Sequence, residues 1–337
     1  MIVLLRKGTE PARVQAALQA LGLWTVVERS ARQGDVALRV LPASARADAE
    51  QVLEVEGVAD VLETPSPHPR VDAQAGAALV LADGVRLGPG APALLMAGPC
   101  AAESEAQARA AAALVAAGGA RVLRGGAFKP RTSPYAFQGA GTPGLRWLRE
   151  AADAENLLVV TEALSELDAP EVAEVADLVQ IGARNMQNFA LLRAVGETGA
   201  TVLLKRGPAA TLEEWLLAGE HLLAAGARGV AFCERGVRGF DTLTRHALDL
   251  SAAALLALQG QPVVVDPSHA AGRRDLVAPL ARAALGAGAH GLLIEVHPDP
   301  ACARSDGPQA LDPALWRALA RSLGLGAPCV LPEGSLA

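Results

Sequence analysis

Val122-Leu-Arg-Gly-Gly-Ala-Phe-Lys-Pro-Arg131-Thr-Ser-Pro-Tyr-Ala-Phe-Gln-Gly139 begins as a buried strand and ends as a charged loop. The apolar pair Val122 and Leu123 runs directly into Arg124, and Lys129 and Arg131 follow. Gly125 and Gly126 permit backbone angles that other residues resist, while Pro130 and Pro134 stiffen the chain and exclude a helix. An ordered loop carrying three cations and two hydroxyls, Thr132 and Ser133, is therefore expected on a rigid strand end. Such a loop suits a phosphorylated or carboxylated small molecule.

The same phase recurs along the chain. Short apolar strands are expected to begin near Leu94, Val122, Leu158, Leu178, Val202, Val230, Val263 and Leu292. Between them lie Ala- and Leu-rich stretches of helical period, among them Ser104 to Ala117, Asn188 to Val195, Leu212 to Ala225 and Asp275 to Leu285. Eight strands alternating with helices fit a (β/α)8 barrel, whereas a doubly wound open sheet would not need eight. The reactive side chains share one phase. Cys100 follows strand one, Arg124 and Lys129 strand two, Glu162 ends strand three, and Arg184 follows strand four. Lys205 with Arg206 follows strand five, Glu234 with Arg235 strand six, Asp266 and His269 strand seven, and Glu295 with His297 strand eight. All sit at carboxyl ends, where barrel active sites are built.

Composition narrows the classes. The 337 residues are 51% hydrophobic and only 3% aromatic, which suits aliphatic strands and Ala-rich helices. A net charge of −6 leaves no basic footprint for nucleic acid, and no apolar run is long enough for a membrane span. The first cations follow the first apolar run, the reverse of a secretory signal. Cys100, Cys233, Cys302 and Cys329 show no paired spacing, so a reducing cytoplasm is expected. Of 30 Lys plus Arg, only Lys7, Lys129 and Lys205 are lysines. Two of these three stand at or beyond the ends of apolar runs, which marks them as functional.

Residues 1–66 are expected to form a small domain. Ile2 to Leu5, Trp24 to Val27, Val36 to Leu41 and Val58 to Leu62 are strands, the middle two joined through Gly34 and Asp35. Pro11 to Leu21 and Ala45 to Leu53 are helices, which gives the split βαβ, ferredoxin-like order. A breaker-rich separator with Pro65, Pro67 and Pro69 follows. Residues 67–93 then form a linker with a hairpin at Asp83-Gly84, and residues 94–337 form the barrel.

Two groups separate by chemistry. Arg124, Lys129, Arg184, Lys205 and Arg235 would repel one another in one cavity without anions, and a carboxylate plus a phosphate, or two phosphates, would compensate them. Cys100, His269, Glu295 and Asp306 offer a thiol, an imidazole and two carboxylates, a set suited to a divalent first-row ion. His68, His221, His246 and His290 read as ordinary surface or interface histidines, and Cys233, Cys302 and Cys329 as packing thiols.

The motifs Ala97-Gly-Pro-Cys-Ala-Ala-Glu-Ser, Leu123 to Tyr135, Gln180-Ile-Gly-Ala-Arg-Asn, Leu204-Lys-Arg-Gly, Cys233-Glu-Arg-Gly, Asp266-Pro-Ser-His-Ala-Ala-Gly-Arg-Arg-Asp, and Glu295-Val-His-Pro with Ser305-Asp-Gly resemble 3-deoxy-D-arabino-heptulosonate 7-phosphate (DAHP) synthase. The resemblance runs from about residue 94 to 322, with every motif in order. It departs at Ala101-Ala102, where the family commonly has Ser-Val. The small domain resembles the ferredoxin-like (ACT-like) regulatory extension of one branch.

The resemblance implies condensation of phosphoenolpyruvate with erythrose 4-phosphate, the first step of the shikimate pathway. It implies Cys100, His269, Glu295 and Asp306 as ligands of one divalent ion per subunit, Mn²⁺ first, with Co²⁺, Fe²⁺ and Zn²⁺ as alternatives. Arg124, Lys129 and Lys205, with Asp266 nearby, would surround the phosphoenolpyruvate carboxylate. Arg184 and Arg235, with backbone near Glu162 and Ala183, would hold its phosphate. Arg131, Thr132 and Ser133 would take the phosphate of the aldose, and Lys129 would protonate the new alkoxide. A homotetramer and an aromatic amino acid effector are further implications. The rival readings are the sister enzyme that takes arabinose 5-phosphate, 3-deoxy-D-manno-octulosonate 8-phosphate synthase, and a non-catalytic amino-acid-sensing barrel. The sister typically has Lys-Ala-Asn-Arg-Ser where this chain has Lys129-Pro-Arg-Thr-Ser.

Overall fold

Strands buried on both faces build the larger part of the molecule, and strands buried on one face the smaller. The computed structural model describes residues 1–29, 36–41, 44, 47–63, 65–131 and 133–324. It divides into two units, Met1–Asp72 and Ala73–Ala337.

In the first unit, β1 (Ile2–Leu5), β2 (Thr25–Arg29), β3 (Val36–Val40) and β4 (Val58–Leu62) form one sheet in the order β2-β3-β1-β4. All neighbours are antiparallel. Period-two alternation sends Val3 and its cross-strand partner Leu38 to one face. There they meet Val14 and Leu18 of the helix Pro11–Ala20 and Val52 of the helix Ala49–Leu53. That second helix starts where the Asp48 carboxylate accepts from the Glu50 amide at 3.2 Å. Gly34, Asp35 and Ala45, expected in a turn and at a helix start, lie outside the described residues.

The second unit opens with the hairpin β5 (Leu79–Val80) and β6 (Arg86–Leu87). Its turn places Asp83 at φ 53°, a left-handed angle that Asp tolerates. Eight parallel strands follow: β7 (Leu94–Gly98), β8 (Val122–Arg124), β9 (Leu158–Ala163), β10 (Leu178–Ile181), β11 (Thr201–Lys205), β12 (Gly229–Glu234), β13 (Val263–Val265) and β14 (Gly291–Glu295). They close in chain order, with β14 pairing back onto β7.

Every residue of these eight strands is buried, as a parallel sheet covered by helices requires. Met96, Val160, Leu178, Leu203, Val264 and Leu293 pack together in the barrel core, and Leu81 and Leu87 from the hairpin segment join the same cluster. The hairpin expected in a linker is therefore part of the barrel core. Outside the sheet, Trp215 on the helix Leu212–Ala225 packs edge-on against Phe232 and donates to the Leu204 carbonyl at 3.1 Å. Thr211 and Glu214 start that helix with a reciprocal capping box. Among the described residues no helix is long and apolar enough to cross a membrane.

Candidate active site

The carboxyl ends of the barrel strands carry the reactive side chains, where the apolar runs give way to charged residues that are still buried. Arg124, Lys205 and Glu295 are the last residues of β8, β11 and β14. Arg235 and Asp266 come one residue beyond β12 and β13. Pro267–Ala271 is a short helix. Pro267 starts it, and the Asp266 carboxylate caps it by accepting from the His269 amide at 2.9 Å. This cap fixes the position of the His269 ring.

Cys100, His269, Glu295 and Asp306 come together, with one potential donor atom from each inside a span of 4.8 Å. Cys100 Sγ donates to Asp306 Oδ2 at 3.1 Å and accepts from Ser305 Oγ at 2.9 Å. His269 points Nδ1 at Asp266 Oδ2, 2.7 Å away. Its Nε2 faces Glu295 Oε1 at 3.5 Å and Asp306 Oδ2 at 3.9 Å. A thiol, an imidazole and two carboxylates suit a divalent first-row ion, and a carboxylate behind the imidazole is the partner that orients a ligating histidine. The donor set fits a metal.

The surroundings set the charge states. Burial pushes the Cys100 thiol up to about 11, and Lys129 opposes that rise. Burial disfavours charge on Glu295, but His269 and the Arg124 guanidinium, 2.8 Å from Oε1, hold its carboxyl below the usual range. Burial likewise opposes charge on Asp266, and His269 with Lys205, whose Nζ lies 2.5 Å from Oδ2, holds it well below that range. Burial lowers His269 and favours its neutral form, the form that can ligate.

Beside the cluster opens a cavity of about 590 Å³, lined by eight arginines and lysines against two carboxylates, Glu162 and Asp306. That balance calls for anionic ligands. Arg124, Lys129, Arg131, Ser133, Glu162, Ala183, Arg184, Lys205 and Arg235 all line it, as expected from the sequence. Lys129 Nζ donates to the Cys100 carbonyl at 2.9 Å, which places the ammonium beside the cluster. Gly126 leaves room for it, since a Cβ there would lie 2.6 Å from Lys129 Cδ. Arg184 donates to the Pro130 carbonyl at 3.3 Å and Arg131 to that of Phe137 at 2.9 Å.

Some expectations change. Asp266, expected among the substrate contacts, is completely buried behind His269 and Lys205, off the cavity wall. Thr132 and Cys329 lie outside the described residues. Arg206 and Glu234 pair with each other at 3.0 Å, and Asp249 also binds Arg206 at 2.8 Å, away from the cavity. Cys302 is exposed, not packed. His246, read as ordinary, lines the cavity, and burial with Arg235, Arg245 and Arg238 pushes it down to about 4. Arg238, Arg245 and Gln309 were not singled out in the sequence. The only local hint was their place in long loops after strands six and eight.

A closed parallel barrel with this cation-lined cavity and donor cluster at its carboxyl end is an enzyme scaffold for small anionic substrates. Residues 68–323 match the DAHP synthetase I family, and the chain belongs to that family. A phospho-2-dehydro-3-deoxyheptonate aldolase of Thermotoga maritima is 51% identical over 230 residues, 68% of this chain and 68% of the relative. A 2-dehydro-3-deoxyphosphooctonate aldolase of Bradyrhizobium sp. is 34% identical over 272 residues, 74% of this chain and 94% of the relative. The crystal structure of a Thermotoga maritima DAHP synthase is similar, with a TM-score of 0.73 at 40% identity over 96% of each chain. A truncated form of the Thermotoga maritima enzyme gives 0.69 at 45% identity, over 74% of this chain and 91% of that one.

Proposed function

We propose that this chain is a DAHP synthase, joining phosphoenolpyruvate to erythrose 4-phosphate with release of phosphate. The observation that supports this reading is that five cations expected to bind anions, Arg124, Lys129, Arg184, Lys205 and Arg235, line one cavity beside the Cys100-His269-Glu295-Asp306 cluster. Those four residues would hold one divalent ion, Mn²⁺ in our reading, which when bound polarises the aldehyde oxygen as a Lewis acid.

The chain's own residues do the rest. Arg124, Lys129 and Lys205 hold the phosphoenolpyruvate carboxylate, and Arg184 and Arg235 hold its phosphate. Arg131 and Ser133 take the aldose phosphate. Carbon three of phosphoenolpyruvate then bonds to the aldehyde carbon, and Lys129 Nζ gives a proton to the oxygen that becomes a hydroxyl. Positive charge develops at carbon two, water adds there with loss of a proton, and the hemiketal phosphate collapses to a ketone and free phosphate. Holding both anions in one cavity makes the carbon–carbon step effectively intramolecular.

The loop Lys129-Pro-Arg-Thr-Ser supports erythrose 4-phosphate over arabinose 5-phosphate. The first unit is the candidate seat of regulation by an aromatic amino acid, and a cytoplasmic homotetramer completes the reading. The test is phosphate release from phosphoenolpyruvate with each aldose in turn, with Mn²⁺ present. Turnover with erythrose 4-phosphate is expected. Turnover confined to arabinose 5-phosphate would assign the chain to the sister reaction, and none with either would leave a sensing barrel.

A further inference from the structure

Glu295 and Asp306 are held in the same way. Each turns one oxygen toward the cluster, Glu295 Oε1 and Asp306 Oδ2, the atoms that face His269 Nε2. Each has its other oxygen tied back. The buried Gln309 side-chain amide donates to Glu295 Oε2. Arg245 NH1 donates to Asp306 Oδ1 at 3.4 Å and to Gln309 Oε1 at 3.3 Å. Arg245 therefore joins both tethers through one guanidinium.

The backbone holds the tethers in place. Gln309 N donates to the Asp306 carbonyl at 3.2 Å, and Leu311 N donates to that of Glu295 at 2.9 Å, so the segment 306–311 is pinned beside the end of β14. The amides of Arg245 and His246 donate to Ala271 and Ala270 at 3.1 and 2.9 Å, which locks the loop after β12 onto the helix that carries His269. Asp306 itself sits at φ 53°, an angle that needs such support in a non-glycine residue.

We propose that Gln309 and Arg245 are positioning residues for the metal site: they fix Glu295 and Asp306 each to present one oxygen to the ion. The proposal rests on the donor cluster being a metal site, as read above. Groups that orient ligating side chains commonly change metal affinity by about 10–100-fold when removed. Arg245 also lines the substrate cavity, so the competing role is direct contact with a substrate anion, and the test separates the two.

Mn²⁺ affinity is measured on metal-stripped full-length protein by competition with a fluorescent chelator, for the parent, Arg245→Ala, Arg245→Lys and Gln309→Ala. The thermal midpoint of each metal-free protein serves as a folding control. The expected result is a loss of about tenfold or more for Arg245→Ala and Gln309→Ala, with part of the affinity kept by Arg245→Lys. The combined Arg245→Ala, Gln309→Ala variant should lose more than either single variant, because both tethers are then removed. Parent-like Mn²⁺ affinity in both single variants would overturn the proposal, and a raised substrate KM at saturating Mn²⁺ would then assign Arg245 to substrate contact. Should Gln309→Ala not fold, the exposed Arg245 pair decides alone. Failure of the parent to bind Mn²⁺, Co²⁺, Fe²⁺ or Zn²⁺ would remove the metal reading itself, and this proposal with it.

Discussion

In the proposed function Lys129 supplies both positive charge and a proton. Its ammonium donates to the Cys100 carbonyl at 2.9 Å, in a niche that Gly126 keeps open. Arginine in its place keeps the positive charge but gives up its proton far less readily. Lys129→Arg is expected to lose about 100-fold or more in kcat, with phosphoenolpyruvate binding by calorimetry and the thermal midpoint both near the parent's. Unchanged kcat would remove the proton-donor role. His246 has a different signature. Burial, Arg235, Arg245 and Arg238, with His269 beyond them, push it down to about 4 from the ordinary 6.5. Between those values the unfolded chain holds a proton that the folded chain does not, so stability falls as pH drops through that window. Glu295 and Asp266, both held below the usual carboxylate range, add further loss at lower pH by the same sign. The thermal midpoint should thus fall from pH 6.5 to 4, and less steeply in His246→Asn. An equal slope in the variant would contradict that assignment.

At the scale of elements, the strands were legible because burial on both faces forces continuous apolar runs, and the charge that ends most of these runs marks their carboxyl ends. Expected starts at Leu94, Val122, Leu158, Leu178 and Val263 coincide with the observed ones, and the other three fall one residue late. The loops were less legible. Arg245 reaches Asp306 across 61 positions, and no local pattern encodes a pairing that exists only once the barrel has closed. The helix after β13 did carry a signal, Asp266 ahead of Pro267, that marks a capped helix start rather than a turn. Gly98 shows how closely these ends pack. At φ 151°, its missing Cβ would lie 2.1 Å from the Arg124 carbonyl. Gly98→Ala should push β7 from β8 just ahead of Cys100, at a cost of about 1–3 kcal/mol or more. Denaturant unfolding checks the stability loss, and Mn²⁺ titration should report weaker binding. A variant with parent stability would mean that the strand ends yield more easily than their packing implies.

For the whole molecule, the division between Asp72 and Ala73 leaves the hairpin Leu79–Leu87 with the barrel. Leu81 and Leu87 pack with Met96, Val160 and Leu293 in the core, and burying each such side chain is worth about 1.5–3 kcal/mol. A chain starting at residue 73 is expected to fold and to keep turnover, while any response to an aromatic amino acid is lost. A chain starting at residue 94 should unfold at lower temperature, by several degrees at least. Equal thermal midpoints for the two would contradict the hairpin's place in the core.

In the proposed function the donor cluster and the cations lining the cavity act as one catalytic centre. The direct measurement is phosphate release from phosphoenolpyruvate and erythrose 4-phosphate by metal-stripped protein, before and after addition of Mn²⁺. No turnover is expected before addition, and the turnover that follows should disappear in Glu295→Gln. Full activity in the stripped protein, or none after metal is restored, would contradict it.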